Sequence, residues 1–232
     1  MTVLRLLSYN VRSLRDDPAA VARVMRAADP HVAIIQEAPR FLRWRTACAA
    51  LSRRAGLVWV CGGRASGANL VLSSLAVDVL DRREITFTAQ RNLHQRGAAV
   101  AVLRLAGSQF AVAGTHLDLI EAPRLLHLDE LAAVSATLPP AAPLIVGGDL
   151  NAVPDSATWQ RLERFGPDAF AVAGTGNGFT YSALDPVRRI DAFFADPRLQ
   201  PLRAEVIDSP DVRTGSDHRP LLVEFQLTEP AG

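Results

Sequence analysis

Asp149 and Asn151 close the run Leu144-Ile-Val-Gly-Gly in the stretch LIVGGDLNAVP, residues 144–154. A carboxylate beside a carboxamide suits a hard cation or a polarised water, because aspartate supplies charge and asparagine a donor or a neutral oxygen. Side chains two apart on extended chain point the same way, so the pair is expected on one face at a strand's C-terminal end. A strand followed by an Asx turn is the plainer reading of the same residues. The two glycines would leave room for a ligand beside the backbone. Similar polar residues stand where other apolar runs stop: Asn10, Glu37, His116, Asp191 and the pair Asp217-His218. Carboxylates gathered in one cleft raise one another's pKa and cost several kcal/mol unless protons or a cation intervene. A divalent metal is the natural compensator, and the all-oxygen character of Glu37, Asp149 and Asp217 suits magnesium or manganese better than zinc. Asp191 can hold His218 in one tautomer for work on a phosphate or a water. Taken singly, His116 or His218 is more often a structural hydrogen-bonder than a catalyst.

The elements that must position these groups follow from periodicity. Val3–Tyr9 and Val32–Ile35 read as buried strands around a helix at Pro18–Ala28, where Val21, Val24 and Met25 share a face. Pro39 is placed to open a helix running to about Arg54, with Arg40, Arg43, Arg45, Arg53 and Arg54 on its solvated side. Short runs at Leu57–Val60, Asn69–Ser73, Val77–Leu80, Ile85–Thr88 and Ala98–Leu105 suit an antiparallel sheet. Phe110–Thr115 is a further strand, ending at His116. Helices are expected at Pro123–Thr137 and Ser156–Phe165, a loop at Gly174–Gly178, and last strands at Arg189–Phe194, Ala204–Ile207 and Leu221–Leu227. Two sheets face to face are the economical arrangement.

The 232 residues are 49% hydrophobic and carry a net charge of +1, with no long linker, so one domain spanning 1–232 is favoured. Near-neutral charge argues against a non-specific polyanion binder. All 25 basic residues are arginine, which removes Schiff-base chemistry and a P-loop lysine. Cys48 and Cys61 are too few for a disulfide framework or a zinc site and read as buried thiols of a reducing compartment. The N-terminus lacks the pattern of a secretory signal, and no apolar run is long enough to span a bilayer. A soluble, cytoplasmic, monomeric protein is the expectation.

SYNVRSL, IIQEAP, AGTHLDL, IVGGDLNAVP, RRIDAFFAD and GSDHRPL, in this order, resemble the motif series of the endonuclease/exonuclease/phosphatase superfamily from residue 8 to about 225. The resemblance implies an α/β fold, a four-layered α/β/β/α sandwich of two packed, mainly antiparallel sheets with outer helices and a metal-dependent cleft at one edge. It implies Glu37 as principal metal ligand, with Asn10 and Asp217 at the same end. Asp149 and Asn151 match the pair that positions the attacking water, His218 oriented by Asp191 matches the histidine on the scissile phosphate, and His116 matches a histidine of the nuclease and sphingomyelinase branches. Arg96 stands where several members carry a phosphate-binding arginine. Arg12 replaces an acidic residue, and His116 a tyrosine, of the abasic-site endonucleases, which speaks against that role. The long substrate motifs of inositol phosphatases are absent.

The function so implied is a Mg2+ or Mn2+ dependent hydrolase cleaving a phosphate ester of a nucleotide, lipid head group or small metabolite by in-line attack of water. A nuclease on the same site is the alternative, with Arg12, Arg64, Arg91, Arg96, Arg188 and Arg189 as a potential basic track. It ranks second because only 6% of residues are aromatic and the net charge is near zero. A binding module that kept the fold and lost the chemistry ranks third.

Overall fold

A computed structural model describes residues 2–227. Two mixed sheets stack face to face. The first holds β1 (Thr2–Asn10), β2 (Val32–Gln36), β3 (Val58–Gly63), β4 (Asn69–Ser73), β10 (Gln200–Val206) and β11 (Leu221–Leu227), in the order β10-β11-β1-β2-β4-β3. The second holds β5 (Val77–Thr86), β6 (Gly97–Leu105), β7 (Ser108–His116), β8 (Leu144–Asp149) and β9 (Asp191–Ala195), in that order. Each sheet contains one parallel pair, β1 with β2 and β7 with β8, and every other pairing is antiparallel. Helix α1 (Pro18–Ala28) lies between the strands of the first parallel pair and α3 (Glu121–Ser135) between those of the second, as parallel strands require a crossover.

Side-chain alternation separates three apolar layers. Leu4, Leu6, Ile34, Phe110, Val112, Ile145 and Phe193 face the opposite sheet and form the central core. Their neighbours Leu7, Tyr9 and Ile35 face outward onto α1 and α2 (Trp44–Ala55), where Val21, Met25 and Leu51 cover them. On the other side Val100, Ala113 and Val146 meet Leu128 and Leu131 of α3 and Trp159 of α4 (Ala157–Leu162). Helix, sheet, sheet and helix therefore make the expected four layers.

Local chemistry explains the boundaries. Asp17 caps α1 by accepting Ala19 N at 2.8 Å and Ala20 N at 3.1 Å, with Pro18 at the first helical position. The second helix opens at Trp44, five residues after Pro39. Ala38 N is bonded to Ala68 O at 2.9 Å, and Arg43 adopts a left-handed φ of 56°, so residues 39–43 form a loop instead of a first helical turn. The run Val77–Leu80 and the first two residues of the run Ile85–Thr88 belong to the single strand β5, which ends at Thr86 and has a register shift between Val79 and Asp81. Two short helices were not expected, α5 (Ala169–Ala173), capped by Asp168, and α6 (Pro210–Gly215), capped by Ser209 with Pro210 at its first position. Cys48 and Cys61 are buried and free, and burial pushes their thiols up to about 11 and about 12, so neither is a nucleophile at neutral pH. No helix among the described residues is long and apolar enough to cross a membrane.

Candidate active site

The site continues the central core. Asn10 lies on the face of β1 that carries Leu4 and Leu6. His116 follows Phe110 and Val112 on β7, Asp149 follows Ile145 on β8, and Asp191 precedes Phe193 on β9, each two or a multiple of two residues apart. At one edge of the stack the apolar stripes of both sheets thus turn polar. Pairing fixes the neighbours: His116 is in register with Asp149 across the parallel pair, and Asp149 with Asp191 across the antiparallel one.

Asp149 divides its two oxygens. Oδ1 accepts Asn151 N at 3.1 Å. Oδ2 accepts Asn10 Nδ2 at 2.9 Å and lies 3.3 Å from His116 Nε2 and 3.6 Å from His218 Nε2. Asn151 is left-handed, with φ 47°, so the Asx turn and the shared site are both present, and Asn151 reaches the site by a turn, not by strand alternation. Its Nδ2 donates to Leu117 O at 3.1 Å and lies 3.0 Å from His116 Nε2. His218 Nδ1 lies 2.9 Å from Asp191 Oδ2, and the His218 ring packs against Tyr181 at 5.0 Å between centroids. Ser216 Oγ donates to Asn10 O at 2.7 Å, tying the segment before His218 to the end of β1.

The two histidines are driven apart. Burial would lower the pKa of His218, but the carboxylates of Asp191, Asp149 and Asp217, with the Asp191 hydrogen bond, outweigh it and raise the pKa to about 10. Burial lowers His116 to about 3; Asp149 opposes this, and the positive charges of Arg96, His218 and Arg40 add to it. One imidazole is therefore a cation at neutral pH and the other is neutral. Arg96 is buried, its Nε has no hydrogen bond, and Asp118 Oδ2 is 3.7 Å away. Burial lowers its pKa against the attraction of Asp118, Asp149 and Glu37.

The Glu37 carboxylate is the oxygen donor that suits a hard divalent cation, whereas Asn10 turns its amide nitrogen to this end and its Oδ1 accepts Arg12 N at 3.0 Å. Asn10 Nδ2 donates to Glu37 Oε1 at 3.2 Å as well as to Asp149, drawing two carboxylates onto one amide nitrogen. Among the described residues no cationic side chain pairs with Glu37. Asp217 lies beside this end but its Oδ2 is 3.3 Å from Arg12 Nε, so its charge is partly met. Asp149, Asp191 and His218 also present ligand atoms within 4.8 Å of one another. There the His218 cation already stands between the two carboxylates, so the greater need for positive charge is at Glu37.

A cleft of about 410 Å³ opens over these groups, lined by Glu37, Arg96, His116, Asp149, Asn151, Asp217 and His218. No motif singled out Phe41, His94 or Tyr181, which also form its wall, the latter two from the loops Gln90–Arg96 and Gly174–Arg188 that the sequence suggested as substrate-selecting. Arg40, expected on a solvated helix face, also lines it, since residue 40 sits in the loop before α2. Arg188 lines the cleft with its guanidinium 4.9 Å from the Tyr181 ring centroid, whereas Arg189 turns away to bond Asp168 at 2.6 Å and is no part of a basic track. The glycines of the central motif leave no ligand space. A Cβ on Gly148 would lie 2.0 Å from Thr115 O, and one on Gly147 would lie 2.3 Å from Phe193. They admit close packing of strands and sheets. Arg124, unflagged by any motif, is buried and donates Nη1 to the carbonyls of Asp118, Leu119 and Asn151, joining the loops that follow β7 and β8.

Stacked mixed sheets between helical layers, with a polar cleft where both parallel pairs end, define the four-layered sandwich class. The chain belongs to the endonuclease/exonuclease/phosphatase family, whose model matches residues 7–218. Its fold is similar to an endonuclease/exonuclease/phosphatase family protein from Bacteroides thetaiotaomicron, at 18% identity and TM-score 0.82 over 98% of each chain. The mannosyl-6-phosphatase of the same organism is 17% identical with TM-score 0.79, over 97% of this chain and 100% of that one. TDP2 of D. rerio, complexed with a single strand DNA product, is 18% identical with TM-score 0.75 over 97% and 100%. Among curated proteins none matches the chain by sequence.

Proposed function

We propose that the chain is a single-domain, divalent-metal-dependent phosphoric ester hydrolase, acting as a cytoplasmic monomer on the phosphate ester of a nucleotide, lipid head group or small metabolite. The observation that carries this reading is Asp149 Oδ2, which faces Asn10 Nδ2, His116 Nε2 and His218 Nε2 at 2.9, 3.3 and 3.6 Å while Oδ1 is held by the backbone. A carboxylate oxygen held by the Asn10 amide and facing the His218 cation suits a water poised for in-line attack. Asp149 takes the water's proton. Asn10, Asn151 and the His218 cation, steadied by Asp191, stabilise the equatorial oxygens. Neutral His116 helps orient Asp149 and Asn151, and Arg96 binds the phosphate of the substrate. Mg2+ or Mn2+ held by Glu37, Asn10 and Asp217 would supply charge neutralisation of the phosphoryl oxygens. Fold relatives named as a phosphatase and as a complex with a DNA product are in keeping with phosphate-ester chemistry.

A nuclease is the second reading. A groove of about 770 Å³ carrying Arg43, Arg45 and Arg64 shares Arg40, Phe41 and Gly67 with the cleft. Turnover of bis-p-nitrophenyl phosphate, p-nitrophenyl phosphate and single-stranded DNA, with Mg2+ and with chelator, tests both. The proposal expects metal-dependent turnover that falls at least about a hundredfold in Asp149→Ala and in His218→Ala. Near-normal rates in these folded variants would remove the assignment, and salt-sensitive DNA cleavage would promote the nuclease.

A further inference from the structure

Eight large apolar side chains are more than half exposed among the described residues. Leu75 lies in the turn between β4 and β5 and Val172 on α5; the other six are Phe41, Leu42, Leu119, Ile120, Leu184 and Val187. These six occupy three loops, after β2, after β7 and between residues 181 and 188, and each loop contributes to the cleft wall through Phe41, Leu119, Tyr181 or Arg188. Leu42 is 94% exposed and Leu184 75%. Large apolar groups gathered around one opening mark a surface that something covers.

Charge narrows the occupant. Arg15, Arg40 and Arg188 line the cleft, Arg43 ends the first loop and Arg45 stands in the first turn of α2, none with a carboxylate partner among the described residues. The acids nearby are mostly engaged: Asp16 faces Arg12 at 3.2 Å, Asp17 caps α1, buried Asp118 lies 3.7 Å from Arg96, and Glu121 at the start of α3 faces Arg124 at 3.9 Å, which leaves Asp185 in the third loop. A chain of net charge +1 thus concentrates unpaired arginine at the mouth of its cleft. Five of the six apolar groups are aliphatic and cannot stack on bases, which disfavours single-stranded nucleic acid. Three separate loops border the same cleft, and apolar groups among cations suit the boundary of an anionic bilayer.

We propose that the mouth of the cleft is a membrane-docking face, seating the protein on an anionic phospholipid surface so that a phosphoester head group enters between the three loops. The head-group clause rests on the hydrolase reading above; the docking clause does not. The test is co-sedimentation with vesicles of equal parts phosphatidylglycerol and phosphatidylcholine, and of phosphatidylcholine alone, in chelator so that hydrolysis plays no part. The wild type is expected to bind the anionic vesicles more tightly. A Leu42→Ser/Ile120→Ser/Leu184→Ser variant, whose altered side chains are exposed and outside the catalytic groups, is expected to lose at least about tenfold in affinity with its melting temperature unchanged. No binding by the wild type, or equal binding by the triple variant, would overturn the proposal. So would a variant that loses affinity for a single-stranded DNA oligonucleotide and not for vesicles. Vesicle binding with no turnover of diester or monoester by the metal-loaded enzyme would sink the hydrolase reading and leave docking standing; turnover without vesicle binding would do the reverse.

Discussion

Asp149 and Asp191 are direct cross-strand partners on β8 and β9, both buried, with the imidazole of His218 reaching each of them. Like charges placed opposite one another in a sheet repel, and the His218 cation is what makes the pairing tolerable. The carboxylates in turn hold the proton on the ring, so each charge depends on the others.

Replacing Asp191 with asparagine keeps the shape and removes one of the two carboxylates. The pKa of His218 should fall from about 10, and turnover should drop at least about a hundredfold. An NMR titration of the imidazole beside the rate measurement checks both. An unmoved His218 titration would separate Asp191 from its assigned role.

The two histidines predict a dome in the pH dependence of metal-free stability. His218 has its folded pKa raised above the ordinary 6.5 to about 10, so its contribution is complete below pH 6.5 and is lost as pH rises through about 10. His116 has its folded pKa lowered to about 3, so the unfolded chain binds the extra proton between about pH 6.5 and 3 and stability falls as the solution is acidified across that range. Melting temperatures in chelator should peak near pH 6.5, and Asp191→Asn should weaken the alkaline limb. A curve that is flat from pH 6.5 to 10 would contradict the His218 assignment.

Glu37→Gln should separate metal binding from folding. The Glu37 carboxylate makes one hydrogen bond, to Asn10, which glutamine can keep through its carbonyl oxygen. The metal-free melting temperature should therefore stay close to that of the wild type, while Mg2+ or Mn2+ affinity, read as the metal-induced thermal shift, falls at least about tenfold. An undiminished shift would move the cation elsewhere, with Asp149, Asp191 and His218 the next place to look.

Gly148→Ala should be severe although no side chain is removed. The added Cβ would meet Thr115 O at 2.0 Å, on a backbone with φ 136°. A cost of about 3 kcal/mol or more is expected. Gly176→Ala is the control, since its φ of 81° is also positive but nothing lies within 4 Å of the new methyl. About 1 kcal/mol is expected there, and urea midpoints compare the two. Equal costs would show that strand approach is not the reason for glycine at 148.

Much of this site was legible in the chain. Alternation with a period of two is local, so the spacing puts Asp149 on the face of Ile145 and His116 on the face of Phe110, although both faces of these strands are buried. The motif order fixed which strands end in polar groups. It could not show Arg40 or Phe41 in the wall, because the loop before Trp44 is held by the bond of Ala38 to Ala68, thirty positions away. Nor could it separate Arg188 from Arg189, adjacent residues sent to the cleft and to Asp168 by the packing of the 181–188 segment.

The sequence by itself determined which side chains of a strand share a face and where each apolar run stops, since both depend on backbone geometry within a few residues. Only the tertiary structure decided that the inward faces of two sheets meet, that Asn10 of one sheet bonds Asp149 of the other, and that two histidines of equal intrinsic basicity part company. Those outcomes depend on burial and on charges far apart in the chain, and neither is a property of local sequence.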